Sequence, residues 1–359
     1  MNFYFQFITL LIFILATVGC TSPSNEVYSV PSVDYKVPTA YANKPTNEGP
    51  QVVLPKDGLP HDAPVEWWYF NGHVSDTQGN EFSYHFTVFQ TQQDLDGSYP
   101  QLFHVSWHDH QAGTVFHSEK SFQQYDDLPE NYIDFRVAAW QMKETKDKFV
   151  LFFDVQDYSV ELNLSKSKKP IMHDGTGFVD MKEAGQTYYY TYSSLDAYGH
   201  ITNIDTQTKI TGTSWMDHQW GDFLENLEIG WDWFSIHLDN GHELMIAYVR
   251  NTSTNEFITS YGTYIDLDGN SQHLRSETFT LEAMQDWQSP ITLSNYPVKW
   301  KLGIPVLDLT LSISAVTEDS EFSPDSELVF SYWEGSTKIS GTIESKPISG
   351  YGFMELVGY

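Results

Sequence analysis

Basic residues are scarce in this sequence. Over 359 residues, 19 lysines and arginines stand against 48 aspartates and glutamates, a formal net charge of −29. So anionic a surface disfavours nucleic acid, whose phosphates need cationic neighbours, and docking along an anionic membrane face. Cysteine is nearly absent too. The single Cys20 excludes an intramolecular disulfide and any cysteine-based metal site. No segment carries the periodicity of a long amphipathic helix, and at most a short one is expected near residues 280–287. There is no Gly-x-Ser-x-Gly elbow and no glycine-rich phosphate loop, so a serine hydrolase or a P-loop site is poorly supported.

Aromatic residues, by contrast, make up 16% of the chain, which argues for extensive packing. They concentrate near the middle, in Gly212-Thr-Ser-Trp-Met-Asp-His-Gln-Trp-Gly221 and Gly230-Trp-Asp-Trp-Phe-Ser-Ile-His-Leu-Asp-Asn-Gly241. From about residue 51 the chain reads as strands. Residues 67–73 and 82–89 flank a polar turn, and Phe82, Tyr84, Phe86 and Val88 alternate as on a half-buried strand. Similar runs occupy 101–108, 132–141, 149–155, 188–193, 244–250, 261–267, 307–315 and 328–332. Turn signals such as Asp96-Gly97, Asn240-Gly241 and Asp268-Gly269 lie between runs. Many short strands at regular spacing predict an all-β fold, a barrel or sandwich.

The first residues read differently. Residues 3–18 are mostly apolar but too short to favour a spanning helix. Gly19-Cys20 then gives way to Thr-Ser-Pro-Ser-Asn. This resembles a bacterial lipoprotein signal, in which residues 1–20 are the signal segment and Cys20 is lipidated. Residues 21–50, rich in Ser, Pro, Asn and Thr, read as a flexible tether. The expected setting is the bacterial cell envelope: lipid-anchored, facing the periplasm from the outer membrane, with a transport system as a conceivable partner.

The chain also repeats itself. Trp67-Trp-Tyr-Phe-Asn-Gly-His73 aligns with Trp231-Asp-Trp-Phe-Ser-Ile-His237, and Gly212-Thr-Ser-Trp-Met-Asp217 with Gly350-Tyr-Gly-Phe-Met-Glu355. Each half opens on an aromatic hairpin and closes on a glycine-aromatic-Met-acid strand. Two related β domains are expected, 51–221 and 222–359, sharing an interface. Interfaces of this kind often hold pockets, so the pocket is expected between them.

Asp217 is the first candidate for chemistry. On an extended strand Trp215, Asp217 and Gln219 share one face, and Met216, His218 and Trp220 the other. A carboxyl against aromatic surface is poorly solvated, which favours its neutral form. Such an acid can protonate a weak base such as an alkene; the alternative is that Asp217 tethers a loop. Glu66 and Asp232 are the next acids, either able to pair with Asp217 or with a histidine across the chamber, and His218 is a further candidate. Trp67, Trp68, Tyr69, Tyr188, Tyr190, Trp215, Trp220, Trp231 and Trp233 are the candidate ligand-binding aromatics, whose faces can stabilise a cation. His104, His108 and His110 share a strand face, but nothing around them supports a metal site, and no metal or cofactor is expected.

Several of these motifs coincide with a known family. The chain resembles the carotenoid 1,2-hydratase (hydroxyneurosporene synthase) and AttH-like group of lipocalin-like proteins. The likeness rests on Val65-Glu-Trp-Trp-Tyr-Phe-Asn-Gly72, Tyr188-Tyr-Tyr-Thr-Tyr192, Gly212–Gly221, Gly230-Trp-Asp-Trp-Phe234, Tyr296-Pro-Val-Lys-Trp300, Tyr332-Trp-Glu-Gly335 and the terminal run from Gly350 to Tyr359. The resemblance implies two consecutive lipocalin-like barrels and a lipophilic ligand. It also implies addition of water across an isoprenoid-type double bond without a redox cofactor or metal, Asp217 supplying the proton. An exported carrier that binds a lipophile without changing it remains the alternative.

Overall fold

A computed structural model describes residues 51–124, 131–223, 228–324 and 331–359. The expected signal segment, the lipidation site Cys20 and the tether 21–50 lie outside the described residues. The described chain is built of strands in two antiparallel sheets, with short 3-10 turns and no α-helix among them.

The first sheet holds β1 (Val65–Asp76), β2 (Glu81–Thr91), β3 (Tyr99–Asp109), β4 (Thr114–Gln124), β5 (Asp134–Val137), β6 (Trp140–Glu144), β7 (Lys148–Val155) and β8 (Tyr158–Lys166). It is completed by the short β9 (Ile171–Met172) and β10 (Phe178–Asp180) and the long β11 (Gln186–Asn203) and β12 (Thr206–Gly221). Its order is β4-β3-β2-β1-β12-β11-β8-β7-β6-β5, and the two end strands come back into contact, curling the sheet into a near-barrel.

The second sheet runs from β13 (Ile229–Leu238), β14 (Glu243–Asn251), β15 (Phe257–Ile265) and β16 (Ser271–Arg275) through β17 (Thr280–Gln288), β18 (Asn295–Ile304) and β19 (Leu309–Ala315). It ends with β20 (Glu321–Phe322), β21 (Tyr332–Ile343) and β22 (Lys346–Val357). Its order, β16-β15-β14-β13-β22-β21-β19-β18-β17, matches the first sheet strand for strand, apart from β5, and forms a half-barrel. The expected internal repeat is thus visible in topology.

Two expectations need correcting. Residues 280–287 form the edge strand β17, not a helix; β17 pairs along its length with β18, and only Leu281 of its residues is fully buried. The apolar run 132–141 is two strands, because the chain turns at Ala138 with φ of 52°.

The central strands explain the aromatic density. On β1, Trp68, Phe70 and Val74 point into the barrel, while Tyr69 joins the cluster between the sheets with Trp67 packed against it. On β13, Phe234, Ile236 and Leu238 fill the second core, and Trp233 points back toward the first sheet. β12 and β22 divide their side chains in the same way. Strands with no solvent face read as near-continuous apolar runs rather than clean alternation. Polar bonds cross the seam as well: Tyr69 Oη donates to Glu334 at 2.5 Å, Trp233 Nε1 to Tyr189 Oη at 3.0 Å, and Ser193 Oγ to Glu243 at 2.6 Å.

Repeat-related glycines hold the central pairings close. A Cβ at Gly212 would stand 1.9 Å from the His73 carbonyl oxygen, and one at Gly350 2.2 Å from that of His237. Only glycine permits so close a backbone approach. Gly212→Ala and Gly350→Ala are each expected to lower stability by about 3 kcal/mol or more, the range reserved for backbone and core disruption. Urea denaturation midpoints measure this; unchanged midpoints would show that β12 and β22 can shift without cost.

Candidate functional site

Between the two sheets lies a crevice of about 720 Å³, counting the part open to solvent. Both halves line it: Trp67, Tyr69, Tyr189, Asp217 and Gln219 from the first, Trp231, Trp233, Tyr261, Tyr332, Glu334 and Glu355 from the second. The walls are mainly aromatic and aliphatic, with three carboxyls among them.

Asp217, only 3% exposed, sits on β12 opposite Tyr69 of β1 and Thr191 of β11. It accepts hydrogen bonds from Tyr189 Oη at 2.6 Å, from Trp215 Nε1 at 2.8 Å and from Thr191 Oγ1. Burial pushes its carboxyl up to about 7, against the pull of these donors. Glu355 is the repeat counterpart of Asp217, lying on β22 opposite Trp233 as Asp217 lies opposite Tyr69. It is crowded by neighbours yet still touched by solvent through the cleft. It accepts one hydrogen bond, from Trp231 Nε1 at 3.1 Å. Burial, and the nearby charge of Asp217, raise it to about 7. Glu334 neighbours Glu355 across the β21–β22 pairing. It is pushed well above the usual carboxylate range by burial and then by Glu355.

The expected site residues therefore divide between two compartments. Trp67, Tyr69, Trp231 and Trp233 line the cleft with Asp217, and Trp215 backs that carboxyl. His218, Glu66, Trp68, Tyr188, Tyr190 and Trp220 do not join them. Successive residues of β12 face opposite ways, so His218 points into the first barrel, stacked on Trp68 at 4.5 Å. There its Nε2 lies 2.7 Å from Glu66 Oε1 and its Nδ1 3.2 Å from Tyr190 Oη. Tyr188 stacks on Trp220 in the same compartment. Asp232 is also outside the cleft lining. It pairs with Arg250 at 3.0 Å and accepts from Tyr359 Oη at 2.7 Å, a clamp that ties the last residues to β13. The idea that Glu66, His218 or Asp232 faces Asp217 across one chamber is corrected by the pleat.

Among the residues that escaped the sequence reading of the site are the cleft tyrosines Tyr189, Tyr261 and Tyr332, and Glu355, Glu334 and His61. Glu355 stood in the repeat as the partner of Asp217, and Glu334 stood inside Tyr332-Trp-Glu-Gly335; neither was taken as a site residue. His61, on the loop before β1, carried no signal at all. Its Nδ1 lies 2.8 Å from Glu66 Oε1, and its ring stacks on Trp220 at 4.0 Å. Among the described residues, the group whose ligand atoms are spaced for a metal ion is His61, Glu66 and His218, not the β3 histidines. His104 instead meets Tyr332 Oη at 2.9 Å, His108 lies 3.4 Å from Ser106 Oγ, and His110 meets Ser83 Oγ at 3.0 Å.

A near-barrel and half-barrel joined over an aromatic, acid-bearing cleft define a tandem lipocalin-like protein. The AttH-like family matches residues 45–359, and the chain belongs to that family. Its structure is similar to an AttH-type protein of Nitrosomonas europaea, with TM-score 0.78 and 25% identity, covering 88% of this chain and 99% of that one. It shares its fold with kievitone hydratase of Nectria haematococca, with TM-score 0.72 and 18% identity over 88% of this chain and 95% of that one. In sequence it is 24% identical over 203 residues to kievitone hydratase of Fusarium solani subsp. phaseoli, and 21% identical over 209 residues to the dehydratase asqC of Emericella nidulans. These matches cover 52% and 55% of this chain, and the chain spans little more than half the length of these curated relatives, 56% and 57%.

The raised Asp217 carboxyl has a consequence for stability. An acid whose folded value lies above its unfolded one stabilises the fold at low pH, and that contribution is lost as pH rises through the folded value, here about 7. Buried histidines act in the opposite sense, so the readout is the difference between wild type and Asp217→Asn. Wild type is expected to lose a few kcal/mol relative to the variant between about pH 4 and about pH 8. Parallel stability curves for the two proteins would show that Asp217 keeps an ordinary carboxylate value.

Proposed function

We propose that the cleft binds an unsaturated or hydroxylated lipophile and catalyses addition of water to a carbon–carbon double bond, or the reverse elimination. The observation that carries this reading is the pair of repeat-related carboxyls, Asp217 and Glu355, both raised to about 7 by burial in an aromatic cleft. Two of the similar proteins are a hydratase and a dehydratase, enzymes that add and remove water. That likeness supports the reaction class and leaves the substrate open.

The hydrogen bonds divide the work between the acids. Three donors hold the ionised form of Asp217, whereas Glu355 has one. Glu355 therefore keeps its proton and delivers it to an alkene carbon. The π electrons form the new C–H bond, and the cation left on the neighbouring carbon lies among Trp67, Trp231 and Trp233. Asp217 has roughly one acceptor position remaining after its three donors. That position holds a water, whose oxygen bonds to the cation and whose proton passes to the carboxylate. Positioned acid–base groups of this kind contribute about 10²–10⁴-fold each. Burial does the rest, because a dry site strengthens every charge interaction inside it.

The finer form of the reading is a terminal isoprenoid double bond of the carotenoid type, and it rests on the sequence resemblance. We place the protein in the bacterial envelope, anchored through Cys20; the expected signal carries that part of the proposal. The three donors that tether Asp217 favour a second reading, a carrier that retains its lipophile unchanged.

One experiment separates them. Wild type, Glu355→Gln and Asp217→Asn are incubated with acyclic isoprenoids and prenylated phenolics in heavy-oxygen water, and products are identified by mass spectrometry. A product carrying one labelled oxygen, reduced about 100-fold or more by Glu355→Gln, supports the hydratase. A lipophile bound and recovered unaltered by wild type supports the carrier, and full turnover by Glu355→Gln removes Glu355 from the mechanism.

A further inference from the structure

The second polar cluster, inside the first barrel, is built differently from the cleft. Glu66 is wholly buried, and among the described residues its ionic partners are two imidazoles, His61 and His218. A buried carboxylate without a lysine or arginine is costly unless something cationic completes it. We propose that His61 Nδ1, Glu66 and His218 Nε2 form a binding site for a first-row divalent transition cation, zinc foremost. This inference stands apart from the cleft chemistry and does not depend on it.

The donor set suits such an ion. Two imidazole nitrogens and one carboxylate are borderline ligands of the zinc class, and three protein ligands leave a fourth position open. In a tetrahedral zinc site, ligand atoms stand about 3.4 Å apart. Here the two histidine nitrogens lie 2.8 and 2.7 Å from Glu66 Oε1, and all three ligand atoms fall within 4.8 Å of one another. Small outward shifts would open the group to ion size. The side chain of His61 keeps 24% exposure, which gives an entry path and a solvent-facing fourth position.

The surrounding groups provide independent support. A metal-binding histidine commonly directs its other ring nitrogen to a carboxylate or another acceptor, which fixes tautomer and orientation. His218 has one, and His61 has a carboxylate near its other nitrogen, beyond hydrogen-bond reach. His61 Nε2 faces Asp57 Oδ1 at 3.9 Å, and His218 Nδ1 faces Tyr190 Oη at 3.2 Å. Asp57 is itself held, its Oδ2 accepting the Val53 amide at 2.7 Å. Glu66 Oε2 accepts the His61 amide at 2.7 Å, leaving Oε1 as the ligand atom. The loop is stiff: Pro60 and Pro64 flank His61, the Gln93 amide bonds to Asp62 at 3.2 Å, and Trp220 covers the imidazole face.

The test is a titration of the metal-stripped full chain with zinc, followed by calorimetry, and with cobalt, followed by its visible absorption. Expected is one ion per chain, with the intense visible bands of tetrahedral cobalt. His61→Ala, on a half-exposed loop residue, is expected to keep the fold by circular dichroism and to abolish the stoichiometric site. Asp57→Asn should weaken zinc binding about 10-fold, as loss of a supporting carboxylate does. Glu66→Gln, which keeps the side-chain shape, should also lose the site. No stoichiometric ion in wild type overturns the proposal. So does weak, multiple binding that survives in His61→Ala, which would be the surface carboxylates of an anionic chain only.

Discussion

The central stretches of β1, β12, β13 and β22 are buried on both faces, and most of what is distinctive about this protein follows. β1, β12, β13 and β22 put one side of the pleat into a barrel core and the other into the seam between the sheets. A polar atom placed on the seam cannot turn to water, and leaving it unbonded costs about 1–3 kcal/mol. The seam therefore selects a partner for each, several of them from the opposite sheet. Tyr69 finds Glu334, Trp233 finds Tyr189, and Tyr189 in turn finds Asp217. The same dryness raises the carboxyls. Packing and acidity are two results of one constraint, and disturbing the pairing of β1 with β12 or of β13 with β22 would disturb both.

Consecutive residues of β12 carry this constraint to its limit. Asp217 and His218 are neighbours in sequence and belong to different compartments, one among hydroxyls and indoles in the cleft, the other beside Glu66 in the barrel. One sheet thickness keeps their protons from being shared directly. A short motif rich in catalytic residue types thus serves two sites rather than one.

Much of this was legible in the sequence, for identifiable reasons. Strand periodicity and turn residues are local signals, so the all-β fold could be read from them. Pairing of Trp67 with Trp231 and of Asp217 with Glu355 could be read because the two halves reach the same strand order. Alternation along β12 placed Trp215, Asp217 and Gln219 on one face. What could not be read was which of two buried faces meets which cavity, since both are apolar. That ambiguity put Glu66, His218 and Asp232 into a chamber they do not share. His61 was invisible because its approach to Glu66 is set by a loop, whose path no periodicity describes. β17 was mistaken for a short helix because a solvent-facing edge strand carries little apolar alternation.

The repeat brings its two acids to equivalent stations, but the side chains beside them have diverged. Where Asp217 has Tyr69 and Thr191 across from it, Glu355 has Trp233 and Glu334. One end of the cleft offers hydroxyl donors, the other an indole and a second carboxyl. A molecule lying in the cleft would meet unlike surroundings at the two acids and have one favoured orientation rather than two. The repeat shapes the chamber and its unlike side chains give it polarity, so a molecule held there would present the same end, and the same face, each time it entered.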